Sequence, residues 1–284
     1  MKLTDKRRCD SYAGRALLGA ALITALLAGC AAPRGAALNS DSIAAVVASP
    51  DRSAADRIND TRRKPAEMLA FIGVKPGMVA LDLSAGGGYT TELLARAVGP
   101  EGRVYGQNMP RDAANPPRQP VVPEGASGPA PVAAGALAPR RTLADRAAQP
   151  ATRNITSIVR RFEDPVPPEV AAGSLDLATL MFNYHDLEVL GVDRAQMNRA
   201  VFNALKPGGI YVIADHAGRP GTGISEAGTL HRMEAAFLQR EIESAGFKVA
   251  AEGMFLRNPN DPRDKNTPEP PQPKDEFVLK FVKP

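Results

Sequence analysis

The segment Val79-Ala-Leu-Asp-Leu-Ser-Ala-Gly-Gly-Gly-Tyr89 decides the reading of this chain, because a short apolar run ends in a carboxylate and passes directly into a glycine loop. Met78 to Leu83 predicts a strand, Ser84 to Gly88 a turn that brings backbone within contact distance of a ligand, and Tyr89 to Val98 (YTTELLARAV) a helix. Alone, such a loop is either a nucleotide-binding turn or only a tight connection. About 120 residues downstream, Met197-Asn-Arg-Ala-Val-Phe-Asn-Ala-Leu-Lys-Pro-Gly-Gly209 precedes Ile210-Tyr-Val-Ile-Ala-Asp215. There a helix with apolar Met197, Val201, Phe202 and Leu205 ends at Lys-Pro-Gly-Gly and a buried strand follows.

Around these two anchors the pattern alternates. Residues 51–72 predict helix, with Ala66, Met68, Leu69 and Phe71 as apolar surface, and Gly73-Val-Lys-Pro-Gly77 turns the chain into the first strand. Further strands are predicted at Arg103–Gln107, Ile155–Val159 and Leu175–Met181, and then, after the strand ending at Asp215, at Phe247–Ala251 and Asp275–Phe281. Ser225 to Ala245 predicts one helix with Leu230, Met233, Phe237, Leu238 and Ile242 on one side and Gly246 as its stop. Pro110 to about Pro150 is rich in Pro, Ala and Gly with no sustained apolar period, which predicts a disordered or irregular insertion. Alternating strands and helices imply an α/β, doubly wound, mostly parallel sheet with ligands at the carboxyl ends of its strands.

The chain has 284 residues, 44% hydrophobic and 23% charged, enough for a sizeable core. Its start reads differently. Lys2, Lys6, Arg7, Arg8 and Arg15 precede the apolar run Ala16–Gly29, too short to span a bilayer comfortably, so residues 1–29 read as a signal peptide. Leu27-Ala-Gly-Cys30 resembles the lipobox of bacterial lipoproteins, which implies lipidation of Cys30, an exported chain anchored to a bacterial membrane facing the periplasm, and a flexible tether over residues 30–50. Cys9 leaves with the leader, so no cysteine remains for a disulfide or a thiolate metal site. The leader carries five Lys/Arg against two Asp, so three of the chain's four formal positive charges leave with it. The remaining basic residues are interleaved with acids, as in Asp51-Arg-Ser-Ala-Ala-Asp-Arg-Ile-Asn-Asp60, and this argues against nucleic-acid binding. No protein partner is indicated.

The acid-then-glycine strand end followed by Leu205-Lys-Pro-Gly-Gly209 resembles class I S-adenosylmethionine-dependent methyltransferases, over roughly Arg57 to Pro284. The resemblance implies a Rossmann-like seven-stranded sheet with an antiparallel last strand, residues 51–284 as the methyltransferase-like domain, and S-adenosylmethionine as cofactor. It places Asp82 at the methionine end of the cofactor and Ser84, Gly86 and Gly88 in its glycine loop. Ser84 stands where the family has glycine, which is tolerable if its φ stays below zero. Where the family offers a ribose-binding carboxylate at the end of the second strand, this chain has Gly106-Gln-Asn-Met-Pro110, leaving Gln107 or Asn108 to accept through an amide oxygen. That gap also counts against a dinucleotide site.

The chain has three histidines. His185 follows the fourth strand in Phe182-Asn-Tyr-His-Asp186, His216 follows Asp215 at the end of the fifth, and His231 lies early in the expected Ser225–Ala245 helix. By the resemblance, Asn183 and Tyr184 fall where the family positions its acceptor, with Asn183 counted among the ligand-binding residues. His185, Asp186 and His216 are then the catalytic candidates. Arg63-Lys-Pro65, Asn183-Tyr-His-Asp186, Asp215-His216 and Leu230-His-Arg232 together resemble a poorly characterised group of bacterial predicted methyltransferases. The expected activity is methyl transfer to a small-molecule acceptor, with no metal assigned. Two other readings stand beside it: a non-catalytic methyltransferase-like binding lipoprotein, and a metal-dependent enzyme using His185, His216 and His231 with Asp186, Asp215 or Glu234, which requires distant residues to converge.

Overall fold

In the computed structural model, which describes residues 35–110, 141–268 and 270–284, β4 (Leu175–Met181) is buried at every position, as a strand covered on both faces must be. It lies at the centre of a seven-stranded sheet ordered β3-β2-β1-β4-β5-β7-β6. The other strands are β1 (Val79–Leu83), β2 (Arg103–Asn108), β3 (Ile155–Val159), β5 (Leu205–His216), β6 (Lys248–Gly253) and β7 (Glu276–Val282). The β3, β2, β1, β4 and β5 ladders are parallel, while β7 runs antiparallel to both β5 and β6. This is the Rossmann-like arrangement expected, reversed last strand included.

Alternation along each strand sorts side chains onto two faces. Leu81, Leu83, Ala178, Leu180, Tyr211 and Ile213 point to one side, where α7 (Arg194–Ala204) and α9 (Ala235–Ser244) bury Met197, Val201, Leu238 and Ile242 against them. Ala80, Leu177, Val212, Ala214 and Val278 point to the other, against α1 (Ser40–Ala48), α3 (Pro65–Ile72) and α4 (Tyr89–Val98). The chain adds β2 and β3 on one side of β1 and then crosses to β4 on the other, so the switch point opens a crevice at the carboxyl ends of β1 and β4.

Four expectations are corrected. Residues 40–48, within the stretch read as a tether, form α1, with Asn39 capping its start and Ile43 buried against the sheet's helical layer. The stretch 51–72 expected to be helical divides into α2 (Ala54–Arg63) and α3, because Pro65 cannot continue a helix and Lys64 turns left-handed (φ 42°) before it. The expected insertion ends earlier than Pro150: α5 (Leu143–Ala147) starts on a capping box between Thr142 and Asp145 and buries Leu143 and Arg146. The helix expected over Ser225–Ala245 breaks into α8 (Ala227–Leu230) and α9. Its break is fixed where His231 turns left-handed (φ 53°), Arg232 is drawn inward by Asp261 and the Ala217 carbonyl, and Met233 bridges to Ala217.

The leader, Cys9, Cys30 and most of the expected insertion lie outside the described residues. Among the described residues no helix is long and apolar enough to cross a membrane. Ile43 is 4% exposed, so Ile43→Ala should destabilise the domain by about 2–5 kcal/mol in urea unfolding, where a tether residue would leave the midpoint unmoved.

Candidate functional site

Asp82, the last residue but one of β1, faces α4, and its carboxylate is buried. The hydroxyl of Thr91 donates to Oδ2 at 2.6 Å and that of Thr179 on β4 to Oδ1 at 2.7 Å, so one acid joins the first strand, the fourth strand and the helix after the loop. Burial raises its pKa to about 6, against the lowering effect of the two hydroxyls. The loop beyond is left-handed at Ser84 (φ 54°), Gly86 (φ 56°) and Gly88 (φ 86°). Ser84 thus departs from the negative φ expected of it, and its backbone N–H is held by the Gln107 amide oxygen at 3.0 Å.

Gln107 and Asn108 do not present free amides. Gln107 is fully buried, accepting from Ser84 and donating through Nε2 to the Arg160 carbonyl at 2.6 Å. Asn108 Oδ1 accepts from the Gly86 N–H at 2.8 Å and its Nδ2 donates back to the Gly86 carbonyl at 3.1 Å. The two residues expected to accept from a ligand hydroxyl instead pin the glycine loop. Gly88 also serves packing: a Cβ there would stand 2.8 Å from Leu143 Cδ1 and 2.9 Å from Arg146 Cδ. At Gly86 the nearest neighbour of a Cβ is the Ser84 carbonyl at 4.0 Å, so that position opens onto space.

That space is a cavity of about 210 Å³ bordered by Asp82, Ser84, Gly86, Gly87, Arg63 and Asn183. Its wall is locked by Arg146 of α5, which sequence reasoning missed. The buried guanidinium donates to Gly87 O at 2.6 Å, to both oxygens of Asp56 on α2 at 2.8 and 2.9 Å, and to Glu92 on α4. The Thr142-x-x-Asp145 capping signature was the signal available for it. A wider cleft of about 780 Å³ adjoins, sharing Ser84, Gly86 and Asn183 and reaching Asp186, Met109 and Phe162.

At the ends of β4 and β5 the three histidines do converge. His185 is 2% exposed; its Nδ1 lies 2.6 Å from Asp215 Oδ1, and its backbone N–H donates to Asp215 Oδ2 at 2.8 Å. The His216 and His231 rings stand 5.5 and 5.4 Å from the His185 ring, centre to centre. Burial works against charge on His185, but Asp215 and Asp186 outweigh it and push the imidazole up to about 10. His216 faces Glu276 at 2.9 Å, and burial with Lys274 nearby holds it well below its usual value. Burial likewise pushes Glu276 up to about 7, although Arg62 donates to it at 2.5 Å. Tyr184, expected at the acceptor position, turns into the core instead, bonded to Glu241 and Asn198. Asn183 borders both cavities and donates to Asp186 Oδ2 at 2.9 Å.

A family model for protein-L-isoaspartate(D-aspartate) O-methyltransferase matches residues 48–117, the part holding β1, the glycine loop, α4 and β2. No curated protein matches the sequence. Among solved structures, an S-adenosylmethionine-dependent methyltransferase from Aquifex aeolicus is similar at 15% identity and TM-score 0.52, over 87% of this chain and 100% of that one. The complex of a methyltransferase activator with a methyltransferase from Haloferax volcanii is similar at 18% identity and TM-score 0.51, over 87% and 99%. The chain therefore shares the fold of S-adenosylmethionine-dependent methyltransferases.

Removing the Arg146 side chain leaves the buried Asp56 carboxylate without an ion-pair partner and Glu92 with Arg96 alone. Arg146→Ala should cost about 3–5 kcal/mol in urea unfolding, and combining it with Asp56→Asn and Glu92→Gln should recover most of the loss. Equal stability of the single and triple variants would show that packing, not charge, was lost.

Proposed function

We propose that the cavity beside Asp82 binds S-adenosylmethionine and that the chain transfers its methyl group to a small-molecule acceptor. The observation that carries this reading is the buried Asp82 carboxylate at the switch point, partnered by two hydroxyls and facing a cavity whose floor is a pinned, left-handed glycine loop. The donor set fits the cofactor: a buried acid suits its ammonium group, and the open side of Gly86 leaves room where a side chain would fill the cradle. When bound, the cofactor supplies an electrophilic methyl on a sulfonium, so the protein's main task is alignment.

The chain's own residues divide that task. Asp82 binds, the loop amides held by Gln107 and Asn108 keep the floor in place before any ligand arrives, and Asn183 stands between the two cavities. His185, Asp186 and His216 belong to the acceptor side, at the ends of β4 and β5. The amides that replace a ribose-binding carboxylate are already engaged, which supports a second reading, a methyltransferase-like module that binds without catalysing. For the leader we propose the lipoprotein route, on the strength of the basic stretch, apolar run and Leu27-Ala-Gly-Cys30 sequence.

Calorimetric titration of the mature domain with S-adenosylmethionine and S-adenosylhomocysteine separates the readings: both bind if the proposal is right, and silence for both overturns it. Asp82→Ala should weaken binding by about 1.5–3 kcal/mol, Gly86→Val should abolish it, and His185→Ala should spare affinity while slowing turnover.

The affinity should also depend on pH. Asp82 titrates near 6 in the free protein, and a cationic ligand favours its ionised form. Affinity should therefore hold above pH 6 and fall by a factor approaching about ten per unit below it. Asp82→Asn should flatten the profile.

Changing Cys30 to Ala should release the protein from membranes or block its processing, and unchanged fractionation would refute the anchor.

A further inference from the structure

We propose that His185, His231 and Asp186 form a binding site for one divalent transition-metal ion of the zinc type. Three donor atoms face one another there: His185 Nε2 lies 3.3 Å from His231 Nδ1 and 3.2 Å from Asp186 Oδ1, and His231 Nδ1 lies 3.5 Å from Asp186 Oδ1. Nitrogen and oxygen ligands about 2.0–2.1 Å from a tetrahedral ion are separated from one another by about 3.3–3.4 Å. The three edges bracket that distance.

Hydrogen bonding gives a poorer account of the same atoms. Asp186 Oδ1 is hidden from solvent and makes no hydrogen bond, although two imidazole nitrogens lie within 3.5 Å of it. His185 Nε2 and His231 Nδ1 can share one hydrogen bond at 3.3 Å, which leaves Asp186 Oδ1 as the third atom of the group without one. Buried acceptors without a partner are uncommon and ask for an occupant.

The surroundings orient each ligand. Asp215 holds His185 Nδ1 at 2.6 Å, which fixes the tautomer that presents Nε2, the carboxylate–histidine–metal relation found behind zinc ligands. Asn183 takes Asp186 Oδ2 at 2.9 Å and leaves Oδ1 to the cluster. His231 reaches the group through its left-handed conformation at the break between α8 and α9, a conformation unusual outside glycine. Two carboxylates, Asp186 and Asp215, supply the negative charge that a dication needs. His216 stays outside the set, paired with Glu276, and Glu234 is turned away to the Gly223 N–H.

Two nitrogens and one oxygen select zinc or cobalt over magnesium or calcium, which take oxygen sets. Three protein ligands leave a fourth position for water or an acceptor atom, as in catalytic rather than structural zinc sites. Asp186 also borders the wider cleft, so the ion stands at the acceptor side of the crevice. Its binding does not depend on methyl transfer: failure to bind S-adenosylmethionine would sink the preceding proposal and leave this one standing.

The test strips the mature protein with a chelator and titrates it with Co²⁺, followed in the visible spectrum, then with Zn²⁺ in competition. The expected result is one equivalent of Co²⁺ with the intense bands of a tetrahedral site, displaced by Zn²⁺. His231→Ala and Asp186→Ala, both at partly exposed side chains and checked for folding by circular dichroism, should each weaken binding by about 100-fold or more, and Asp215→Asn by about 10–100-fold. No stoichiometric binding, or wild-type affinity in both ligand variants, would overturn the proposal.

Discussion

The guanidinium of Arg146 is the constraint on which the crevice depends. It is 3% exposed, and it joins α5 to Asp56 of α2, Glu92 of α4 and the Gly87 carbonyl. Glu92 is also bonded by Arg96, which reaches on to Asp51, so a run of alternating charges crosses three helices beside the loop. Buried ions are held so close only when each is satisfied, and every carboxylate in this run has a basic partner. The loop is therefore set by charge from outside and by the amides of Gln107 and Asn108 from beneath, before any ligand enters.

Two chemically distinct zones meet at the carboxyl ends of the strands. At β1, a single acid raised by burial has hydroxyl partners, which leaves it responsive to a cationic ligand. At β4 and β5, Asp215 and Asp186 flank the His185 imidazole and favour positive charge on it, whereas burial disfavours charge on His216. Asn183 stands between the two. The sheet order makes this division possible, since β1 and β4 are neighbours in space although the chain visits β2 and β3 between them.

What was legible in the sequence follows from the range of the forces involved. The strands announce themselves because burial on both faces demands apolar runs, and Asp82 with its loop because glycine spacing is local. α1 and α5 are hidden by composition: runs of alanine and serine resemble a tether, and a proline-rich approach masks the Thr142–Asp145 cap. The break at His231 escapes periodicity because Leu230, Met233 and Phe237 fit one continuous helix equally well. What divides them is the pull of Asp261 on Arg232, from 29 residues away. Ser84 keeps its left-handed φ for a similar reason, an amide from the next strand. Convergence of His185 with His231 is a tertiary fact that spacing does not encode.

The reversed strand has a consequence for the order in which the domain assembles. β7 comes later in the chain than every other strand, yet it lies between β5 and β6 rather than at the rim. Until it arrives, β5 presents an open edge with Tyr211, Val212 and Ile213 beside it, and β6 has no neighbour at all. An emerging chain thus carries an unsaturated, apolar border from the completion of β5 at His216 until β7 follows at Glu276, the kind of surface that chaperones shield and that recruits other strands if left alone. Closure is a late insertion event, and one side of the sheet waits on it.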